Sequence, residues 1–161
     1  MDCKTDHQTL HKRRWIMSDE TWSIRPAVES DLNFIYSSWL KSYRYGSDIA
    51  KVRNSIFYPE YAKVIDYILF KNDIKINMAC KENDAGVVFG YCVSEPGVVH
   101  YVFVKQAFGN FGIARSLMIK AGPIEYSTHR TGVVTRYLEE HEIDYNPFLL
   151  FKQRNQDGTQ G

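Results

Sequence analysis

Between Leu32 and Tyr43 the apolar residues Leu32, Ile35, Trp39 and Tyr43 return every three or four positions, the period of one helical face. Glu29, Ser30 and Asp31 stand just before them as capping and acidic first-turn groups, and Gly46 stops the run, so a helix is expected there. A second helix is expected to open at Pro59 and Glu60, since proline lacks only a donor that a first turn leaves idle, with Tyr61, Val64, Ile65, Ile68 and Leu69 on one face. The period then shortens. Ile74, Ile76, Met78 and Cys80 stand at alternate positions, which reads as a strand, and the turn chemistry of Glu82 to Gly86 leads into a second apolar run, Val87 to Val93. Glu95, Pro96 and Gly97 make the next turn, into the strand Val98 to Val104. Upstream, Thr21 to Ala27 reads as a first strand stopped by Pro26. Downstream, a helix is predicted over Phe111 to Lys120, stopped by Gly122 and Pro123, then a strand, Ile124 to Thr128. Thr131 to His141 is helix-compatible, with Val133, Val134, Tyr137 and Leu138 on one face. IDYN (143–146) and PFLLFK (147–152), split by Pro147, are expected as a last pair of strands.

Composition narrows this to one domain. The chain has 161 residues, 44% of them hydrophobic and 14% aromatic, enough for one core and too few for two. Residues 1–20 and 154–161 are polar and read as tails around a domain at 21–153. Met17 is an alternative start. Twenty Lys and Arg against 19 Asp and Glu leave a net charge of +1, so bulk charge demands neither nucleic acid nor a membrane as partner. With no membrane-length apolar run and no signal-peptide core, a cytoplasmic protein is expected. Cys3, Cys80 and Cys92 are too few and scattered for a disulfide framework and are expected reduced. Cys3, His7 and His11 recur every four residues, as metal ligands on a helix face would, but lack a fourth ligand, so no metal is expected. The basic run His11 to Arg14 reads as solvated.

One stretch carries candidate chemistry. From Val98 to Gly122 a buried strand delivers a glycine-punctuated turn to a helix start, where unpaired backbone N–H groups and the positive end of the helix dipole converge on an anion. Gly109 and Gly112 allow close approach to a phosphate, Ala114 keeps the first helical turn narrow, and Val102 and Val104 pack beneath.

The order of elements, with this turn after the fourth strand, resembles the GNAT acyltransferase superfamily over residues 22–152. Its signature is a strand ending hydrophobic-x-hydrophobic, then a turn Arg/Gln-x-x-Gly-x-Gly/Ala opening a helix. Here Val102, Phe103 and Val104 are followed by Gly109, Asn110, Phe111, Gly112, Ile113 and Ala114, then Arg115. Gly112, Ile113 and Ala114 fit, whereas Gly109 stands where the family has Arg or Gln; Arg115 or Lys105 could supply the missing cation. The resemblance implies an α+β fold, α/β/α-layered, with a mixed, mostly antiparallel sheet of about six to seven strands flanked by about four helices. It also implies acetyl-CoA as co-substrate, its pyrophosphate on the turn and its pantetheine arm along Val102 to Val104, and direct attack by an amine on the thioester.

For the acid that protonates the leaving thiolate, the resemblance points to Tyr137, on the helix after the fifth strand; a core tyrosine is the competing reading. For the base, His100 is the first choice for its ordinary pKa, with Glu95, Glu125 and His129 as alternatives. Trp39, Tyr43 and Arg44 fall where the family forms the acceptor side of the groove, although Trp39 also belongs to the apolar face. The acceptor is expected to be a small-molecule or protein amine, and the protein a monomer or homodimer. Nucleic acid is a less favoured partner: Lys41, Arg44, Lys51 and Arg53, interspersed with Tyr43 and Tyr45, would suit a nucleobase-modifying member such as those of some phages. A GNAT-fold binding or structural protein without catalysis is the non-enzyme reading, motivated by Gly109.

Overall fold

The computed structural model describes residues 21–46 and 48–151. The expectations for the tails, with Cys3, His7, His11, the basic run and Met17, lie outside them. The elements are β1 (Trp22–Pro26), α1 (Leu32–Gly46), α2 (Asn54–Leu69), β2 (Lys75–Lys81), β3 (Asp84–Glu95), β4 (Gly97–Val104), α3 (Ile113–Ala121), β5 (Ile124–Ser127), α4 (Gly132–Glu140) and β6 (Asp144–Tyr145). The strands form one sheet in sequence order. β1 to β4 pair antiparallel, and β5 and β6 join in parallel.

Side chains leave this sheet on both faces, and each face has its own core. Tyr91, Val93 and Tyr101 meet Ile35 and Trp39 of α1 and Phe57, Tyr61, Ile65 and Ile68 of α2. Cys92, Val99 and Val102 meet Ile113, Leu117 and Met118 of α3 and Val134 and Leu138 of α4. Helices thus cover both faces, the α/β/α layering that the resemblance implied. Gly90 is required by the β3–β4 pairing, because a Cβ there would stand 2.3 Å from the Phe103 carbonyl oxygen. Cys80 and Cys92 are buried free thiols. Among the described residues no helix is long and apolar enough to cross a membrane, and no His, Cys, Asp or Glu cluster could hold a metal.

Four expectations are corrected. α2 starts at Asn54, not Pro59, because Phe57 is buried and extends the apolar face of Tyr61, Ile65 and Ile68 upstream; Pro59 sits inside the helix. The β2–β3 turn is Glu82–Asn83 alone. Asp84 to Gly86 belong to β3, and register shifts around Cys80 absorb the extra residues, while Gly86 N–H still donates to Asp84 Oδ1 at 3.1 Å. α3 starts at Ile113 rather than Phe111, since Asn110 (φ 65°) and Gly112 (φ 81°) lie in the left-handed region and cannot continue a helix. The final pair of strands shrinks to Asp144–Tyr145, and Pro147–Leu150 is a 3₁₀ turn. There Asn146 accepts from Phe148 N–H at 3.2 Å with proline next in line, so capping chemistry overrides the strand-like pattern.

Candidate active site

β4 and β5 run together only briefly. They pair at Gly97 with Ile124, Val98 with Tyr126 and Val99 with Ser127, and a last bond runs from Thr128 N–H to Val99 O at 3.1 Å. β4 continues to Val104 with only β3 beside it in the sheet. At the point of parting, Tyr101 faces Val93 and Val99 faces Ser94, which leaves His100 as an extra residue in β4. Such a bulge bends the strand and re-aims its side chains. Val99 and Val102 turn to the α3/α4 core and Tyr101 to the α1/α2 core.

The parting strands close on a narrow cleft with no room for a water-sized molecule, lined by Val99, His100, Tyr101, Val102, Ser127, His129, Thr131 and Val134. Two buried polar atoms of its lining, His100 Nε2 and Thr131 Oγ1, have no hydrogen-bond partner. Such atoms are rare in packed interiors, where partners are nearly always found. A larger hollow of about 730 Å³ lies elsewhere, among Arg25, Asp31, Phe34, Ala85 and Lys105. It holds none of the sequence-derived acid or base candidates, so the narrow cleft is the candidate site.

The turn after β4 is built as an open row of donors. Phe108 and Gly109 N–H groups close back on Lys105 O and Gln106 O at 2.8 and 3.2 Å. Ser116 N–H is bonded to Gly112 O at 3.0 Å, so the N–H groups of Ile113, Ala114 and Arg115 occupy the first turn of α3, where a helix supplies no carbonyl partner. Ile113 is buried beneath the turn, while Asn110, Phe111, Gly112 and Arg115 are exposed. The two glycines differ. Gly112 has φ 81°, which side chains disfavour, whereas Gly109 has φ −63° and ψ 153°, open to any residue. Of the two proposed substitute cations, Lys105 lies with Nζ 5.1 Å over the Phe34 ring on the α1 side, and Arg115 opens α3 beside the turn.

Three of the four candidate bases come together. His100 Nδ1 and His129 Nδ1 both reach Thr128 Oγ1, at 2.9 and 3.0 Å. His129 Nε2 is hydrogen-bonded to the Tyr61 hydroxyl. His100 Nε2 stands 3.5 Å from Glu95 Oε1, close for a charge but long for a hydrogen bond, and Lys71 Nζ is 3.5 Å from the same oxygen. Burial, and then the neighbouring His100, push the His129 imidazole down to about 3. Burial lowers His100 as well, against the pull of Glu95. Burial pushes the Glu95 carboxyl up, but His100 and Lys71 together hold it below the usual glutamate value. Both imidazoles are therefore neutral at neutral pH and the carboxylate is charged. Glu125 is exposed on β5 and takes no part.

The expected acceptor-side residues pack inward to different degrees. Trp39 is fully buried and stacks on Tyr101 at 4.5 Å between ring centroids. Arg44 is buried too, donating to Ile49 O at 3.2 Å and lying 5.1 Å over the Phe57 ring. Tyr43 is half-buried, stacked on Tyr61 at 4.8 Å and edge-on to His129 at 5.0 Å. The apolar helix face that made Trp39 a core candidate is what buries it. Tyr137 lies on α4 one turn beyond Val134, half-buried, its ring 4.1 Å from that of His141. Sequence reasoning missed Thr128, Thr131 and Tyr61. Thr128 and Thr131 flank His129 closely, but a lone hydroxyl residue carries no signal of its own.

No family model and no curated protein sequence matches the chain. Among solved structures, a candidate acetyl transferase from Pyrococcus furiosus overlays with a TM-score of 0.60 at 12% identity, covering 88% of this chain and 99% of that one. The aminoglycoside N-acetyltransferase AAC(6')-Iy in complex with CoA overlays at 0.48 and 13% identity, over 88% and 94% of the two chains. An N-acetyltransferase from Thermoplasma acidophilum in complex with coenzyme A gives 0.46 and 12%, over 76% and 75%. The Pyrococcus structure is close enough to show a shared fold.

Proposed function

We propose, from the premise that this chain has the GNAT fold of N-acetyltransferases, that it transfers an acyl group, acetyl in the first instance, from acyl-CoA to an amine. The observation that carries this reading is the edge of β4 left open beyond Val99, running from the cleft to the donor row before α3. A pantetheine arm is an extended chain with amide groups, and an open strand edge offers it the hydrogen bonds a further strand would make. Val102, Phe103 and Val104 supply that edge; the turn from Gly109 to Arg115 supplies N–H groups for a pyrophosphate, with Arg115 the added cation. The thioester would then lie at the mouth of the cleft, which must widen to admit it, and the unpartnered Thr131 Oγ1 of its lining fits a ligand that brings polar atoms.

In the reaction the amine nitrogen bonds to the thioester carbon, the carbon–sulfur bond breaks, and the amine's proton must leave. Holding the two reactants in line supplies most of the acceleration, so acid and base need be only modest. His100, beside Glu95 at the bulge, is the base of this scheme. Tyr137, next along the α4 face from Val134, is its acid.

Calorimetric or thermal-shift titration with acetyl-CoA tests the reading. Ligand at about a hundredfold above its dissociation constant stabilises the native state by about 2.7 kcal/mol. No shift at millimolar acetyl-CoA refutes the assignment and leaves a GNAT-fold protein without that chemistry. Gly112→Glu is expected to abolish binding, by placing a side chain and a negative charge in the donor row. Tyr137→Phe is expected to lower turnover with binding intact; equal turnover removes the acid role.

A further inference from the structure

A hydroxyl between two imidazoles forces a choice. Thr128 Oγ1 touches the Nδ1 atoms of both His100 and His129 and has a single hydrogen. If it donates to one ring and accepts from the other, two neutral rings are opposite tautomers; if it accepts from both, each carries Nδ1–H. The ends of the cluster decide which. With Thr128 donating to His129, or accepting from both rings, the His100 Nε2 lone pair would face the Glu95 carboxylate at 3.5 Å, an unfavourable arrangement. With Thr128 donating to His100, His100 carries Nε2–H toward Glu95, His129 carries Nδ1–H toward Thr128, and the His129 Nε2 lone pair accepts the Tyr61 O–H. Every proton then points the same way, from Tyr61 to Glu95.

We propose that Tyr61, His129, Thr128, His100 and Glu95 form one oriented relay that takes up the proton released by the attacking amine, so that His100 acts as base through Thr128 and His129 while Tyr137 serves the departing thiolate. This rests on the acyltransferase reading, with the attacking amine held at the Tyr61 end of the chain; of the five residues, His100 and His129 line the cleft. As a proton reaches the Tyr61 oxygen, the Tyr61 proton passes to His129 Nε2, and the His129 Nδ1 proton passes to Thr128. The Thr128 proton passes to His100 Nδ1, and the His100 Nε2 proton ends on Glu95. Both imidazoles are neutral before and after, with their tautomers exchanged. Return along the same bonds after product release restores them and passes one proton from the Tyr61 end to water, so the step needs no other reactant.

The surroundings suit this. Trp39, Tyr43, Tyr61 and Tyr101 surround the His129 ring, and His100 is wholly buried, so no carboxylate stands against His129 to draw it into the charged form. Charge is confined to the Glu95 end, where the carboxylate is 19% exposed and faces Lys71 and His100. Ser127 Oγ donates to His129 O, and Thr128 N–H is tied to Val99 O, which fixes the hydroxyl between the rings. Thr128 is a positioning residue. It joins two rings that otherwise have no common partner.

Nitrogen-15 spectra of the imidazoles at neutral pH test the relay without turnover, because protonated and bare ring nitrogens differ in shift. The expected result is Nε2–H at His100 and Nδ1–H at His129; matching tautomers, or the reverse pair, overturn the proposal. Thr128→Val should scramble this assignment and lower kcat roughly a hundredfold, with the KM for acetyl-CoA little changed and the pH profile altered, while Thr128→Ser restores both. An unaltered kcat and pH profile in a Thr128→Val protein that binds acetyl-CoA overturns it. Absence of acetyl-CoA binding to the unaltered protein is a separate failure: it removes the acyltransferase reading and the relay's catalytic role, while the tautomers remain readable. Should Thr128→Val not fold, Tyr61→Phe removes the relay's entry with the rings intact, and wild-type kcat in that variant overturns the proposal.

Discussion

Holding two imidazoles neutral inside the sheet makes the fold sensitive to mild acid. His129 is pushed from the ordinary value of 6.5 to about 3 by burial and by His100. Between those values the unfolded chain binds a proton at this position that the folded chain does not, so stability is fully present above pH 6.5 and falls as pH falls. The slope approaches 1.36 kcal/mol per pH unit for one proton, so moving from pH 7.5 to 5.0 costs about 2 kcal/mol through His129 alone. His100, lowered in the same direction, adds to this. Asp31 and Glu95 are lowered too, but carboxylate losses fall below the unfolded values of 3.8 and 4.5 and stay clear of this window. For a chain of this length 2 kcal/mol is roughly 4–8 °C in Tm. Urea unfolding at pH 7.5, 6.5, 5.5 and 5.0 measures it, and His129→Phe should flatten the slope by about one proton while lowering stability throughout. A wild-type stability independent of pH over this range, or a His129 resonance titrating near 6.5, would refute the burial and neutrality of the ring.

Gly109→Arg should be accepted by the fold, since its backbone is extended and a Cβ there meets only Gln106 O at 3.4 Å. It should tighten acetyl-CoA binding about tenfold by calorimetry, one added charge-assisted contact; weaker binding would place the pyrophosphate elsewhere. Gly90→Ala drives a Cβ to within 2.3 Å of Phe103 O, and should lower stability by about 3 kcal/mol or more in urea, with wild-type stability counting against the β3–β4 register. Trp39→Ala should cost about 3–5 kcal/mol as a core truncation, and a change confined to acceptor KM would return Trp39 to the groove.

Much of this fold is written in local periodicity. The spacing of Leu32, Ile35, Trp39 and Tyr43 found α1, and the alternation of Ile76, Met78 and Cys80 found β2, because the side chains that set those periods are the ones buried. Where the reading slipped, a non-local contact outweighed the local signal. Phe57 pulls α2 upstream of Pro59, pairing with β2 draws Asp84 to Gly86 into β3, and Asn146 with Pro147 cuts short the last strand. The site was legible in part. His100 and His129 were named from their positions, yet nothing in the sequence joins them, since the link is the hydroxyl of Thr128 lying over a bulge in another strand. Arg44, charged at a helix end, is turned inward by the carbonyl of Ile49 and the face of Phe57, neither of which a helical wheel shows.

The cost of the relay bears on what it is for. A cleft between two strands can be closed more stably with apolar side chains than with two imidazoles, a phenol and a hydroxyl, since each buried polar group forgoes water and must find a partner. Here most of them do, and the cluster is held neutral by burial rather than by ion pairing, with its one carboxylate at the rim. A buried ion pair would resist a passing proton, because the charges that stabilise it fix where protons lie. Neutral rings joined through one hydroxyl have two arrangements that differ only in the direction of the protons, and Glu95 biases the choice between them. A network built only to fill the interior gains nothing from such a bias. If an amine loses its proton here, as the proposed acyl transfer requires, that single bias sets the direction of the transfer.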